Sequence, residues 1–294
     1  MMKKYLCYDV GGTFVKYAIY AEDATVITKG KFKTRVVDAN QFFSDLAKIA
    51  NEQSDLDAIG ISFPGFINPN TGEATRAGAL YQLDGLNLVD ELKTHLNNVA
   101  LLVVIENDAN CAALAEKLNG NAQDVHDFAV VTLGTGVGGG IVINDHVLHG
   151  YQYRAGEFGM MLTDYSEHGE ATLHDLASTS ALVKLYAQTK RLPVESVSGE
   201  QIMAEVDTDS QTRTLVDQWA NYVAIAIFNL SVTNAPERIL IGGGISQNDK
   251  LLPIINAALN RIRFWSDFKC DLKTCAHHND SGLLGALYLA QQIH

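Results

Sequence analysis

The stretch Tyr8-Asp9-Val10-Gly11-Gly12-Thr13-Phe14-Val15-Lys16 decides the fold, because Leu133-Gly134-Thr135-Gly136-Val137-Gly138-Gly139-Gly140 repeats it in kind. Each follows an apolar run of strand character (Tyr5–Tyr8; Phe128–Leu133) and leads into another (Phe14–Tyr20; Ile141–Ile143). In a glycine-rich turn between two strands no Cβ blocks an approaching anion, and successive backbone N–H groups converge on it. Two such turns in one chain grip a polyphosphate from both sides. The pattern predicts a nucleotide-using enzyme built from two related halves.

Working outward, apolar runs alternate with segments of helical period. Val36–Gln53 reads as a helix with Phe42, Phe43, Leu46, Ile49 and Ala50 on one face. Strands are expected at Ala58–Ser62, Asn98–Ile105 and Arg238–Ile241, and helices at Ala109–Leu118, Thr212–Ser231 and Ser281–Gln292. This alternation predicts an α/β architecture with mixed sheets. A chain of 294 residues suits two domains. No Pro- or Ser-rich linker divides it, and a boundary within Cys111–Gly120 is expected because the second loop unit starts soon afterwards.

A net charge of −12 excludes the basic stripe of a nucleic-acid-binding surface and disfavours an anionic membrane. The apolar run after Met1-Met2-Lys3-Lys4 is cut by Asp9 and two glycines, against a signal peptide. Val99–Ile105 and Tyr222–Phe228, the longest apolar stretches, are far too short for a membrane span. A cytoplasmic location is expected. Cys7 and Cys111 read as core fillers; Cys270 and Cys275 lack a second ligand pair and read as reduced structural thiols.

Gly134, Gly136 and Gly139 satisfy a dinucleotide fingerprint, yet the loop opens into the strand-like Gly140–Ile143 rather than a helix, so a dehydrogenase is a poor alternative. Asp108 follows an apolar strand and begins a helix, where the dipole and free N–H groups hold a carboxylate ionised. Such a group suits a base for a hydroxyl attacking a γ-phosphoryl group. By position alone Asn107 or Asp108 reads equally as an N-cap, Asp9 as a turn residue, and Lys16 as a solvated charge.

The Asp9–Lys16 motif, Glu106-Asn107-Asp108-Ala109, the Gly134–Gly140 loop, Ala155-Gly156-Glu157-Phe158-Gly159 and Gly242-Gly243-Gly244-Ile245 occur in the order seen in sugar kinases of the ROK family. The resemblance spans the chain, to Asn279–Leu283. It implies an actin/hexokinase-like (ribonuclease H-like) two-domain fold with mixed sheets around a central ATP–sugar cleft: residues 1–113 plus 281–294 as a smaller N-terminal domain and 114–280 as the larger one. The family's repressors carry a helix-turn-helix ahead of the first loop; Asp9 lies too near the start for one, so DNA is not an expected partner.

The same resemblance implies roles. Asp108 is the base and touches the acceptor sugar, with Asn107, Gly65 and Glu157 also binding sugar. Asp9 orients Mg2+ through water, and Gly11, Gly12 and Thr13 meet the phosphates, with Lys16 a possible nucleotide contact. Gly134, Thr135 and Gly136 cradle other phosphates, and Gly242, Gly243 and Gly244 let adenosine lie against the backbone. ATP and Mg2+ are the implied cofactors and a homodimer the implied assembly. Most members follow Glu-x-Gly with a histidine, a cysteine-rich zinc motif and a second glutamate. Here Met160 takes the histidine position, Leu162–Leu173 holds no cysteine, and the second glutamate falls near His174, so no zinc site is expected. Those departures at the anomeric end, with the blocks Glu106–Cys111 and Arg154–Asp164, resemble the β-glucoside kinase branch. The expected reaction is phosphorylation of the 6-hydroxyl of a cellobiose- or gentiobiose-type sugar. The alternatives are a free-hexose kinase acting on glucose or N-acetylmannosamine, and a catalytically silent sugar sensor.

Overall fold

In the computed structural model, which describes residues 3–293, the chain divides into two units. The first runs to Gly120, takes in His149–Ala155, and regains the chain from Asp280 onward. Its elements are β1 (Lys4–Val10), β2 (Phe14–Ala21), β3 (Val26–Lys33), α1 (Ala39–Asn51), β4 (Ala58–Phe63), the hairpin β5 (Phe66–Ile67) and β6 (Ala74–Arg76), α2 (Leu88–His95), β7 (Leu102–Asn107) and α3 (Asp108–Asn119), with a closing helix, Ser281–Gln291. The five-stranded sheet has the order β3-β2-β1-β4-β7, antiparallel at its first two pairings and parallel at the others.

Alternation along β1 sorts its side chains onto two faces. Leu6, Tyr8 and Val10 join Phe42, Phe43 and Leu46 of α1 in one core, and the Tyr8 hydroxyl donates to the Leu46 carbonyl at 2.6 Å. Tyr5 and Cys7 face a second core with Leu283, Ala286 and Leu287 of the closing helix. Burial of Phe42 and Phe43 contributes about 2–3 kcal/mol each, and Asp38 caps their helix by accepting the Gln41 N–H at 2.9 Å.

The closing helix lies against α3 and β4 at backbone distance. A Cβ on Gly285 would sit 2.0 Å from the Cys111 carbonyl oxygen, and one on Gly60 would sit 2.1 Å from that of Ala286. This packing makes α3 a single body with the sheet, which is why the first unit extends past residue 113 to Gly120.

The second unit repeats the plan: β8 (Phe128–Leu133), β9 (Val137–Ile143), β10 (His146–Val147), α4 (Tyr165–His168), α5 (Leu173–Ala177), α6 (Thr179–Lys190), α7 (Gly199–Glu205), α8 (Ser210–Asn234), β11 (Arg238–Gly242), α9 (Leu251–Leu259), α10 (Trp265–Phe268) and β12 (Asp271–Thr274). Its sheet order is β10-β9-β8-β11-β12, the first sheet's pattern strand for strand, with the same pairing directions. Trp219 and Trp265 are buried in this unit's core; the Trp219 indole donates to the Ala177 carbonyl at 2.9 Å. Residues 138–140 belong to β9 rather than to the loop. The Phe158 ring lies where a Gly139 Cβ would be, so absence of a side chain there serves packing.

Candidate active site

In the first unit the three-residue turn Gly11–Thr13 joins antiparallel β1 and β2. Gly12 and Thr13 are exposed. The Gly11 N–H is spent within the turn, donating to the Phe14 carbonyl at 3.0 Å, so it has nothing left for a phosphate. Asp9 and Lys16 are register partners across the hairpin, and their side chains pair at 3.0 Å. The other Asp9 oxygen accepts from the Ser62 hydroxyl at 3.2 Å. Lys16 therefore sits as the counter-charge of Asp9.

The acceptor half-site grows from the β7–α3 junction. Asn107, not Asp108, is the N-cap: its side-chain oxygen accepts the Ala109 and Asn110 N–H groups at 2.9 and 3.1 Å. The cap leaves the Asn107 amide NH2 pointing away from the helix, and it donates to the Gly65 carbonyl at 2.9 Å. Asn107 can thus give a sugar an N–H but not an acceptor oxygen. Gly65 has φ +101°, and a Cβ there would lie 2.0 Å from the Arg76 carbonyl oxygen, so only glycine fits. Asp108 is exposed at the first turn of α3, its carboxylate accepting the Ala109 N–H at 2.8 Å.

Sequence reading missed Glu106. It is 2 % exposed, and its Oε1 accepts the Asn107 N–H at 2.7 Å and the Asn110 amide at 3.0 Å. Its Oε2 meets His149 Nε2 at 2.6 Å, a bond that raises the His149 pKa above the usual histidine value.

In the second unit the three-residue turn Gly134–Gly136 joins β8 and β9, the Gly134 N–H again closing the turn, here on the Gly136 carbonyl at 2.9 Å. Gly134, Thr135 and Gly244 line one cavity of about 800 Å³, with Val183, Val197, Met203 and Ile245 as apolar walls and Glu200, Gln247 and Asn248 as polar groups. That mixture and volume suit a nucleoside. Gly242 and Gly243 face elsewhere. Gly242 ends β11 beside Cys275, and Gly243, at φ +94°, brings its backbone against the Leu133 carbonyl.

Glu157 sits in the loop before Phe158, and burial raises its carboxyl above the ordinary glutamate range, offset in part by His174. His174 is the second residue that sequence reading left without a role. Its Nδ1 accepts the Val137 N–H at 2.7 Å, and its ring fills the space left by the missing side chains of Gly136 and Gly159. Accepting at Nδ1 leaves Nε2 as the protonated, donating nitrogen of the neutral ring. Met160 is 56 % exposed.

The model of the ROK family matches residues 5–293. The chain belongs to the ROK family. Among its relatives, the β-glucoside kinase of Listeria monocytogenes is 33 % identical over 289 residues, covering 97 % of this chain and 96 % of that one. A solved Listeria monocytogenes structure named as a proposed N-acetylmannosamine kinase is 33 % identical, covering 98 % and 99 % of the two chains with a TM-score of 0.88. The ROK glucokinase of Streptomyces griseus, solved with glucose and AMPPNP, shares the fold at 24 % identity, 100 % coverage of both chains and a TM-score of 0.80. This ROK chain is therefore a carbohydrate kinase with the actin/hexokinase-like fold. Among the described residues no helix of this ROK kinase is long and apolar enough to cross a membrane.

Proposed function

We propose that the chain transfers the γ-phosphoryl group of ATP to the 6-hydroxyl of a β-glucoside of the cellobiose or gentiobiose type. The observation that carries the phosphotransfer is the β7–α3 junction, where an exposed carboxylate, Asp108, follows a cap residue locked on both sides. Asp108 accepts the hydroxyl proton as the oxygen attacks phosphorus, and Asn107 directs its outward N–H at a neighbouring hydroxyl. The cavity beside Gly134, Thr135 and Gly244 takes the nucleoside. Asp9, already sharing its oxygens between Lys16 and Ser62, fits a carboxylate that meets a cation through water rather than directly. No three His, Cys, Asp or Glu side chains among the described residues form a metal-ligating group, so Mg2+ would take its other ligands from phosphate and water. When bound, it neutralises charge on the transferring phosphoryl group.

The choice of a β-glucoside rests on the 33 % identity to a β-glucoside kinase and on the residues at one end of the site. Exposed Met160 stands where the resemblance places a histidine, and the second glutamate of the resemblance falls near His174. Fewer polar anchors at the anomeric carbon leave room for a substituent there. Free-hexose phosphorylation is the second reading, favoured by the 33 % identity to the structure named for N-acetylmannosamine.

Sugar-dependent ADP release across a panel tests both. A specificity constant for cellobiose or gentiobiose well above that for glucose is expected; the reverse order rejects the β-glucoside. Silence across the whole panel favours a sugar sensor. Asp108→Asn is expected to lower kcat by about two orders of magnitude or more while nucleotide still binds.

A further inference from the structure

Glu106, buried, and His149, half-buried, pair beside the acceptor half-site, and the phosphotransfer just described leaves the pair unused. Its carboxylate takes three donors on two oxygens: the Asn107 N–H, the Asn110 amide and His149 Nε2. Two of these lie on either side of Asp108, one on Asn107 and one on Asn110 in the first turn of α3. The third comes from His149–Ala155, a segment of the first unit that follows β8–β10 in the chain.

That segment is built to hold the histidine still. Gln152 and Tyr153 both have left-handed φ, 54° and 60°, and the Ala155 N–H donates to the His149 carbonyl at 3.1 Å, closing the turn. Tyr153 packs edge-on against the imidazole with ring centroids 6.1 Å apart. At the segment's other end the Arg154 guanidinium lies 5.6 Å from the Phe66 ring, next to Gly65. The two anchors therefore fall on Glu106 and Phe66, the chain neighbours of Asn107 and Gly65, which share the amide-to-carbonyl bond of the sugar site.

We propose that Glu106 is a positioning residue for phosphotransfer: it fixes the Asn107 peptide and the first turn of α3, and thereby Asp108, with His149 as the partner that keeps its carboxylate in place. A carboxylate at 2 % exposure needs such a partner, because a charge out of water is costly unless it is paired and hydrogen-bonded. A reacting carboxylate must be held to a fraction of an ångström, and misplacement by about 1 Å costs on the order of a hundredfold in rate. The inference rests on the reading of Asp108 as the base.

Steady-state kinetics on Glu106→Ala, Glu106→Gln, His149→Phe and Asp108→Asn test it, with melting curves and AMPPNP titration on each full-length protein. Glu106→Ala is expected to lower kcat about ten- to a hundredfold, with AMPPNP affinity unchanged because the nucleoside cavity is built from other elements. Glu106→Gln is expected to recover most of that loss, since its carbonyl oxygen still accepts from Asn107 and Asn110. His149→Phe keeps the ring packing on Tyr153, removes the bond, and is expected to fall between them. A Glu106→Ala protein with wild-type kcat, or one whose kcat and AMPPNP affinity fall together, overturns the proposal. So does a Glu106→Gln protein no better than Glu106→Ala while both stay folded. If Asp108→Asn turns over like wild type, the base is misassigned and the proposal falls with it. An inactive Asp108→Asn beside a fully active Glu106→Ala refutes the role of Glu106 alone.

Discussion

Replacing Asn107 separates the architecture of the acceptor site from its chemistry. Its side chain makes three hydrogen bonds, two as the α3 cap and one to the Gly65 carbonyl. Asn107→Ala removes all three. Loss of an N-cap costs about 1 kcal/mol, and loss of the bond to Gly65, which leaves that carbonyl without the amide, costs about another 1 kcal/mol. The sum of about 2 kcal/mol lowers the melting temperature by roughly 4–8 °C for a unit of this size. Asn107→Ser keeps a capping hydroxyl but cannot span to Gly65, so about half the shift is expected. Asp108→Asn touches neither the cap nor Gly65, so its melting curve should lie close to wild type while its turnover collapses. Differential scanning calorimetry paired with initial-rate kinetics on the three variants reads this out. Asn107→Ala melting with wild type, or Asn107→Ser melting as low as Asn107→Ala, would refute the reasoning that the amide ties β7–α3 to the Gly65 loop.

Three further outcomes follow from particular contacts. Gly285→Ala places a methyl 2.0 Å from the Cys111 carbonyl and should destabilise by about 1–3 kcal/mol in chemical denaturation, whereas Gly134→Ala, whose Cβ would meet open space, should leave the denaturation midpoint unchanged and raise KM for ATP. Because His149 has a folded-state pKa above its unfolded value of about 6.5, its stabilisation is fully present below that value and is lost as pH rises through the raised pKa. The melting gap between wild type and His149→Phe should therefore be widest below the unfolded value and narrow as pH rises above it; a gap that widens with pH contradicts the pairing. Glu157→Gln should raise KM for sugar by about tenfold with little change in KM for ATP, and an unchanged sugar KM would remove Glu157 from the acceptor site.

Much of the fold was legible because its signals are local. The hairpin turns at Gly11–Thr13 and Gly134–Gly136, the amphipathic face of α1 and the strand before Asp108 all follow from spacing and residue type. Boundaries moved where tertiary context intervened. The strand expected from Asn98 begins at Leu102, because Asn98–Leu101 forms a turn with the Leu101 N–H on the Asn98 carbonyl. The glycines of residues 138–140 read as loop, yet pairing with Val130–Thr132 of β8 makes them strand, with the Phe158 ring packed on Gly139. The packing of Gly242 on Cys275 and of Gly243 on Leu133 joins residues remote in sequence, which spacing does not reveal. The same reason hid Glu106, His149 and His174: each partner lies at a sequence distance, 43 and 37 residues, over which spacing carries no information.

The closing helix has a consequence for how the chain is made. Tyr5, Cys7, Ala18 and Tyr20 take much of their cover from Leu283, Leu284, Ala286, Leu287 and Ala290. On a ribosome, all of β8 to β12 must emerge before that cover exists, so the first sheet waits half-dressed while the second can already complete itself. The contact of the Asp9 carboxylate with Gly282 likewise forms only once the closing helix has emerged.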